Sequence, residues 1–161
     1  MLNPQPQSEH EWLQQLVGEW TFEAESSMCA DRPTIKTTGT ECVRSLGGLW
    51  TIGEGQGGMP GGGIGYTIMT LGFDPTTGRF VGTFIGSMMT HFWIYNGTLD
   101  ESRKILALDT QGPDFSGAPG LVDYQDRLEI ISPDHRKLSA YLRGSDGQWQ
   151  QFMESHYHRQ K

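Results

Sequence analysis

Turn-forming clusters recur every ten to fifteen residues along this chain, with period-two runs between them. Asp74-Pro75-Thr76-Thr77-Gly78 separates two β-rich runs. Further turns are expected at Asp100 to Arg103, Pro133-Asp134 and Ser145-Asp146-Gly147. The stretch EWTFEAES alternates Trp20, Phe22 and Ala24 with Glu19, Thr21, Glu23 and Glu25, the pattern of a half-buried strand. Short strands joined by tight turns make an antiparallel meander, whereas a doubly wound fold would alternate strands with helices.

The pattern predicts about ten strands, near 19–27, 34–45, 48–56, 64–73, 79–88, 90–99, 104–110, 121–132, 136–143 and 148–158. A meander of that length has two exposed edges unless it closes, and eight or more closed strands leave an interior wide enough for a small ligand. The expected fold is therefore all-β, a closed antiparallel barrel in a single domain over 1–161. One short helix precedes it at 8–17, with Ser8 and Glu11 as a capping box, Trp12, Leu13, Leu16 and Val17 on one face and Gly18 as the stop. Residues 1–7 read as a flexible lead, and the Gly/Pro-rich stretch 110–120 as a longer loop.

The chain has 161 residues, enough for one domain with a sizeable core. Its net charge of −7 and lack of basic runs argue against nucleic-acid and anionic-membrane partners. No stretch approaches the length of an apolar membrane helix, and the N-terminus lacks a basic segment followed by an apolar one. A cytoplasmic location is expected, with Cys29 and Cys42 reduced and inert.

The stretch GEGQGGMPGGGIG holds eight glycines in the thirteen residues from Gly53 to Gly65, and its first six residues match the spacing of a dinucleotide fingerprint. That motif needs a helix after the glycines to hold the pyrophosphate, and here a strand-like run follows. No Lys-Ser or Lys-Thr pair makes it a P-loop either. The stretch reads as a wide connection between the third and fourth strands.

The opening HEWLQQLVGEWTFE, with its Leu16, Gly18 and Trp20 spacing, resembles the start of calycin barrels: lipocalins, fatty-acid-binding proteins and nitrobindin-like proteins. GTECVRSLGGLW, MTLGFDPTTGRFVGTFIGSMMTHFWIYNGTLD and ISPDHRKLSAYLRGSDGQWQQFM are similar to a bacterial family known only as a domain of unknown function. The resemblance covers nearly the whole chain. It implies a calycin-like barrel and no particular substrate.

Three strands carry candidate site residues. His91, Trp93 and Tyr95 alternate on one strand and would give a cavity wall of aromatic bulk with polar tips. On the final strand, Tyr157 and Arg159 would point inward and hold an anionic head, since a guanidinium matches a carboxylate. A similar Arg-plus-Tyr pairing belongs to the fatty-acid-binding proteins. The opposite face of that strand carries His156 and His158, which could seat a metal or present one imidazole to haem, as in nitrobindin-like barrels. A solvated terminal strand is the competing reading.

Glu54 follows Trp50 and Ile52 and would meet Arg159 or Arg44 across the barrel. No nucleophile with a paired base is visible, so the chain leans away from enzymes. The expected function is non-covalent binding of a small hydrophobic molecule, with or without an anionic head. The lining is drawn from Trp20, Glu54, Met69, Phe84, His91, Trp93, Tyr95, Tyr141, Tyr157 and Arg159. A haem barrel acting on reactive nitrogen or oxygen species and a packed interaction module are the alternatives. A homodimer is compatible with any of them.

Overall fold

The computed structural model describes residues 3–27 and 33–161. Helix α1 (Ser8–Gln14) leads into ten antiparallel strands: β1 (Gly18–Ser26), β2 (Ile35–Leu46), β3 (Trp50–Gly58), β4 (Ile64–Asp74), β5 (Arg79–Gly86), β6 (Trp93–Leu99), β7 (Ile105–Pro113), β8 (Leu121–Ser132), β9 (His135–Arg143) and β10 (Trp149–Arg159). Each strand pairs with its sequence neighbours, and β1 also pairs with β10, so the sheet closes into a barrel. Closure leaves no unpaired edge. The expected fold class and strand count hold, and α1 is the one helix among the described residues.

Alternation fixes which side chains fill the barrel. Trp20 and Phe22 on β1, Val43 on β2, Leu71 on β4, Phe80 on β5, Leu106 and Leu108 on β7, and Leu128 on β8 point inward and pack as one cluster. Trp20, Leu13, Leu71, Leu106, Leu108 and Leu128 are fully buried, each worth roughly 1.5–3 kcal/mol. Irregularities in pairing occur at two places, between Ile130 and Ser132 and between Gln151 and Met153. The second shifts the phase of β10, so that Met153, Ser155 and Tyr157 share the inner face.

The two ends differ. At one end α1 is a plug. Its Trp12, Leu13 and the following Leu16 are buried in the main cluster. The helix is one turn shorter than expected and is capped differently. Gln7 is the N-cap, and its N–H donates to His10 Nδ1 at 2.9 Å, while Ser8 and Glu11 lie within the helix. His10 Nε2 donates to the Phe73 carbonyl at 3.0 Å. The chain leaves the helix through bonds from Leu16 N to Leu13 O and Val17 N to Gln14 O, a tightened last turn.

The glycine-rich stretch also divides differently from the expectation. Gly53, Gly55 and Gly57 lie within β3 and face the barrel interior. The connection to β4 is short, and Gly61, Gly62 and Gly63 take positive φ there.

Candidate functional site

The interior holds polar groups that the fold alone does not need. Arg136 on β9 points inward and forms a hydrogen-bonded ion pair with Glu41 on β2. Its guanidinium lies over the Tyr157 ring at 4.0 Å and the Trp20 ring at 4.6 Å. A buried pair of this kind is tolerated because each charge has partners. Opposite, Tyr95 on β6 donates to Asp126 Oδ2 on β8 at 2.5 Å. Burial pushes the Asp126 carboxyl up to about 6, against the Tyr95 hydrogen bond, which pulls it down. The Tyr157 hydroxyl is raised by burial first and by the Glu41 carboxylate next. A Ser155 hydrogen bond pulls the other way. Arg136 Nε and Thr110 Oγ1 are buried without a hydrogen-bond partner.

The interior glycines of β3 make room for these groups. A Cβ on Gly53 would sit 3.0 Å from the Glu41 carboxylate, and one on Gly55 would sit 2.7 Å from Thr67 Oγ1. The Phe22 ring lies across Gly39 and Gly57 for the same reason. It also packs on Tyr157 at 5.2 Å between centroids.

The open end is asymmetric. On the β6–β10 side four aromatics seal it. Tyr124 packs on Trp93 at 5.1 Å and on Phe115 at 5.2 Å, and Phe115 packs on Phe152 at 5.4 Å. On the β1–β5 side the inward positions are small. There a chamber of roughly 310 Å³ opens between Phe22, Thr37, Gly57, Gly65 and Thr67, under Met59 and Met88. Among the described residues no charged side chain lines it. Ser155, whose hydroxyl is buried beside Tyr157, shares a cross-strand row with Ala24 and Thr37. Deeper, a space of only about 20 Å³ separates Leu16, Thr51, Leu71 and the Glu41–Arg136 pair, so the closed half is packed.

The expected lining residues separate into groups. Trp20, Met69, Phe84, Trp93, Tyr95 and Tyr157 face inward. Glu54 does not: it shares the outer face of β3 with Ile52 and Gln56, and Gly53 and Gly55 face in. Tyr141 is also on the outer face, under the Arg127 guanidinium at 3.9 Å. His91 lies at the rim before β6, with Nε2 2.8 Å from the Gln111 carbonyl oxygen.

Arg159 is engaged at the closed end. It donates to Val17 O at 2.6 Å, Gln15 O at 2.8 Å and Pro133 O at 3.1 Å, and it stacks on Trp20 at 4.2 Å. Those carbonyls, with the Asp134 carboxylate 3.4 Å from Nε, take the place of an anionic head. Arg44 pairs in register with Ile52 and so shares the outer face with Glu54.

His156 and His158 project outward from β10. His156 Nδ1 is 2.9 Å from His135 Nε2, and the His158 ring stacks on His135 at 4.4 Å. Among the described residues no group of three or more His, Cys, Asp or Glu side chains could hold a metal. No histidine projects into the chamber, so the residues present do not fit haem held inside the barrel. Cys42 is a free thiol on the outer face of β2, and Cys29 lies outside the described residues.

Fold and interior together define a small closed β-barrel, plugged at one end, with an apolar chamber at the other. The chain belongs to the family described as protein of unknown function (DUF1579), whose model matches residues 5–159. No curated protein matches it. Among solved structures it is similar to Rv2717c from M. tuberculosis, at 14% identity and a TM-score of 0.63, covering 98% of this chain and 100% of that one. It is also similar to a de novo designed fluorescence-activating β-barrel, at 15% identity and a TM-score of 0.50, covering 91% and 95%. These likenesses show the fold.

Proposed function

We propose that this protein binds a small, neutral, mostly apolar molecule in the open half of its barrel. The chamber between Phe22, Thr37, Gly57, Gly65 and Thr67 carries the reading. Its volume of roughly 310 Å³ is at the lower end for small-molecule sites, and its walls are apolar with a few hydroxyls. Two methionines roof it, and their flexible thioethers adapt to different shapes. The Thr37 and Thr67 hydroxyls among its walls suit a ligand with one hydrogen-bonding group. The inner cation, Arg136, is already neutralised by Glu41, so a carboxylate gains little there. The closed barrel and the Leu16, Gly18 and Trp20 spacing at its start support a calycin-like binding protein.

Titration with decanol and decanoate, followed by tryptophan fluorescence, tests the reading. Trp93 reports on the mouth, because its Nε1 donates to Met89 Sδ at 3.1 Å, one residue from the roof. Decanol should quench saturably and bind at least as tightly as decanoate. Gly65→Val should weaken decanol binding at least about tenfold. A Cβ there meets only Met59 Sδ at 2.6 Å and Met88 Cε at 2.7 Å, flexible ends that can move, so the fold survives. No saturable quenching by either probe, or tight binding of decanoate alone, would overturn the reading.

A further inference from the structure

Three adjacent strands have outer faces unlike the rest. No charged residue occurs in Ile64–Gly72 of β4, Val81–Ile85 of β5 or Ile94–Thr98 of β6. The remaining outer surface is charged, with Glu23 and Glu25 on β1, Lys36 on β2, and a Glu129–Lys137–Glu154 ladder across β8, β9 and β10. On the uncharged face Ile64, Tyr66, Ile68, Ile85, Phe92 and Ile94 are each 38–62% exposed. Between them the Thr70 and Thr83 hydroxyls hydrogen-bond to each other at 2.7 Å.

We propose that a second copy of this chain docks on this face to form an isologous dimer. The exposed area of those six side chains is on the order of 600 Å², the upper end for one patch on a monomer. With the flanking Val and Thr positions it approaches the roughly 800 Å² per partner of a standard interface. Charge selects the same face. Two chains of net charge −7 repel each other, and this is the outer face on which contact desolvates no ionised group.

The face is also self-complementary. A two-fold axis at Ile85, on the central strand, lays β4 of one copy over β6 of the other. Ile68 then meets Phe92 and Thr70 meets Ile94, because the register holds Ile68 and Phe92 level with Ile85 and holds Thr70 and Ile94 level with Thr83, with the sheets about 10 Å apart. Glu54 on β3 and Asp109 on β7 flank the face on either side. The axis brings the Glu54 edge of one copy near the Asp109 edge of the other, so acidic rims oppose each other. Added salt screens that repulsion and strengthens the dimer.

Sedimentation velocity of the full chain across a salt series tests this. A dimer is expected, with a dissociation constant that falls as sodium chloride rises. Ile85→Lys and, separately, Ile94→Lys should each weaken it at least about tenfold, with an unchanged circular dichroism spectrum. Thr38→Lys, on the outer face of β2, should leave it unaffected. A monomer at every salt concentration would overturn the proposal, as would a dimer indifferent to Ile85→Lys. So would association that weakens with salt, the sign of a basic-rimmed partner surface. Binding of a monomer to phosphatidylcholine vesicles through this face would also overturn it and assign the patch to lipid.

Discussion

Arg159 shows how a residue can be identified correctly as important and assigned the wrong partner. Its place beside Tyr157 near the end of the last strand suggested a guanidinium offered to a ligand. The structure gives it to the carbonyls of Gln15, Val17 and Pro133, where it ties the chain after α1 to the end of β10 and covers Trp20. Hydrogen bonds from a charged donor to those carbonyls are worth about 1.5–3 kcal/mol each when buried and less where water competes. Arg159→Ala should therefore destabilise the protein by about 2–4 kcal/mol and leave decanol affinity within about twofold. Urea denaturation together with the fluorescence titration distinguishes this from a ligand role, in which affinity would fall and stability would hold.

Individual strands carried a signal that resolves most of these assignments. On β9, Leu138, Ala140 and Leu142 set the inward phase, and Arg136 is in that phase while Tyr141 is not. On β8, Asp126 is in phase with Tyr124 and Leu128. On β2, Glu41 is in phase with Val43. A charged residue in the inward phase is easily taken for a strand end, because isolated burial of a charge is costly. What makes it tolerable is a partner on a distant strand, and cross-barrel pairing leaves no mark in local sequence. Glu54 shows the converse: the outward Trp50 and Ile52 mimic an inner face because the true inner positions are glycines. The helix was legible from its apolar spacing, though its end at Gln14 reflects the tightened turn that seats Leu16. As a plug, α1 contributes chiefly through Leu13, which is fully buried. Leu13→Ala should cost about 2–5 kcal/mol, measured by urea denaturation, because the closed barrel cannot collapse around the cavity. A loss below about 1 kcal/mol would mean that α1 packs loosely and the barrel stands without it.

Stability of the whole molecule should fall as pH rises through the neutral range, and two causes can be separated. The chain carries −7 at pH 7 with a pI near 5.1, so self-repulsion grows with pH. The second cause is Asp126. Its carboxyl titrates near 3.8 when solvated and is pushed up to about 6 by burial in the barrel. Between those values the folded chain binds the proton more tightly than the unfolded one. The protonated group's contribution is thus complete below pH 3.8 and is lost as pH rises through about 6. The full loss is on the order of 3 kcal/mol, since each pH unit between the two values corresponds to roughly 1.4 kcal/mol. Tyr95 can donate to the side-chain oxygen of an asparagine as readily as to the carboxyl oxygen. Asp126→Asn should therefore be more stable than the wild type at about pH 7.5 by about 1–3 kcal/mol. The difference should close by about pH 4, leaving the shallower slope that net charge alone produces. Denaturant midpoints at several pH values for both proteins measure it, with added salt reducing only the net-charge part. If the variant is instead the less stable protein above neutrality, the carboxylate is held ionised by a cation, with the inward-facing Arg136 the candidate, and Asp126 belongs to the Glu41–Arg136 network.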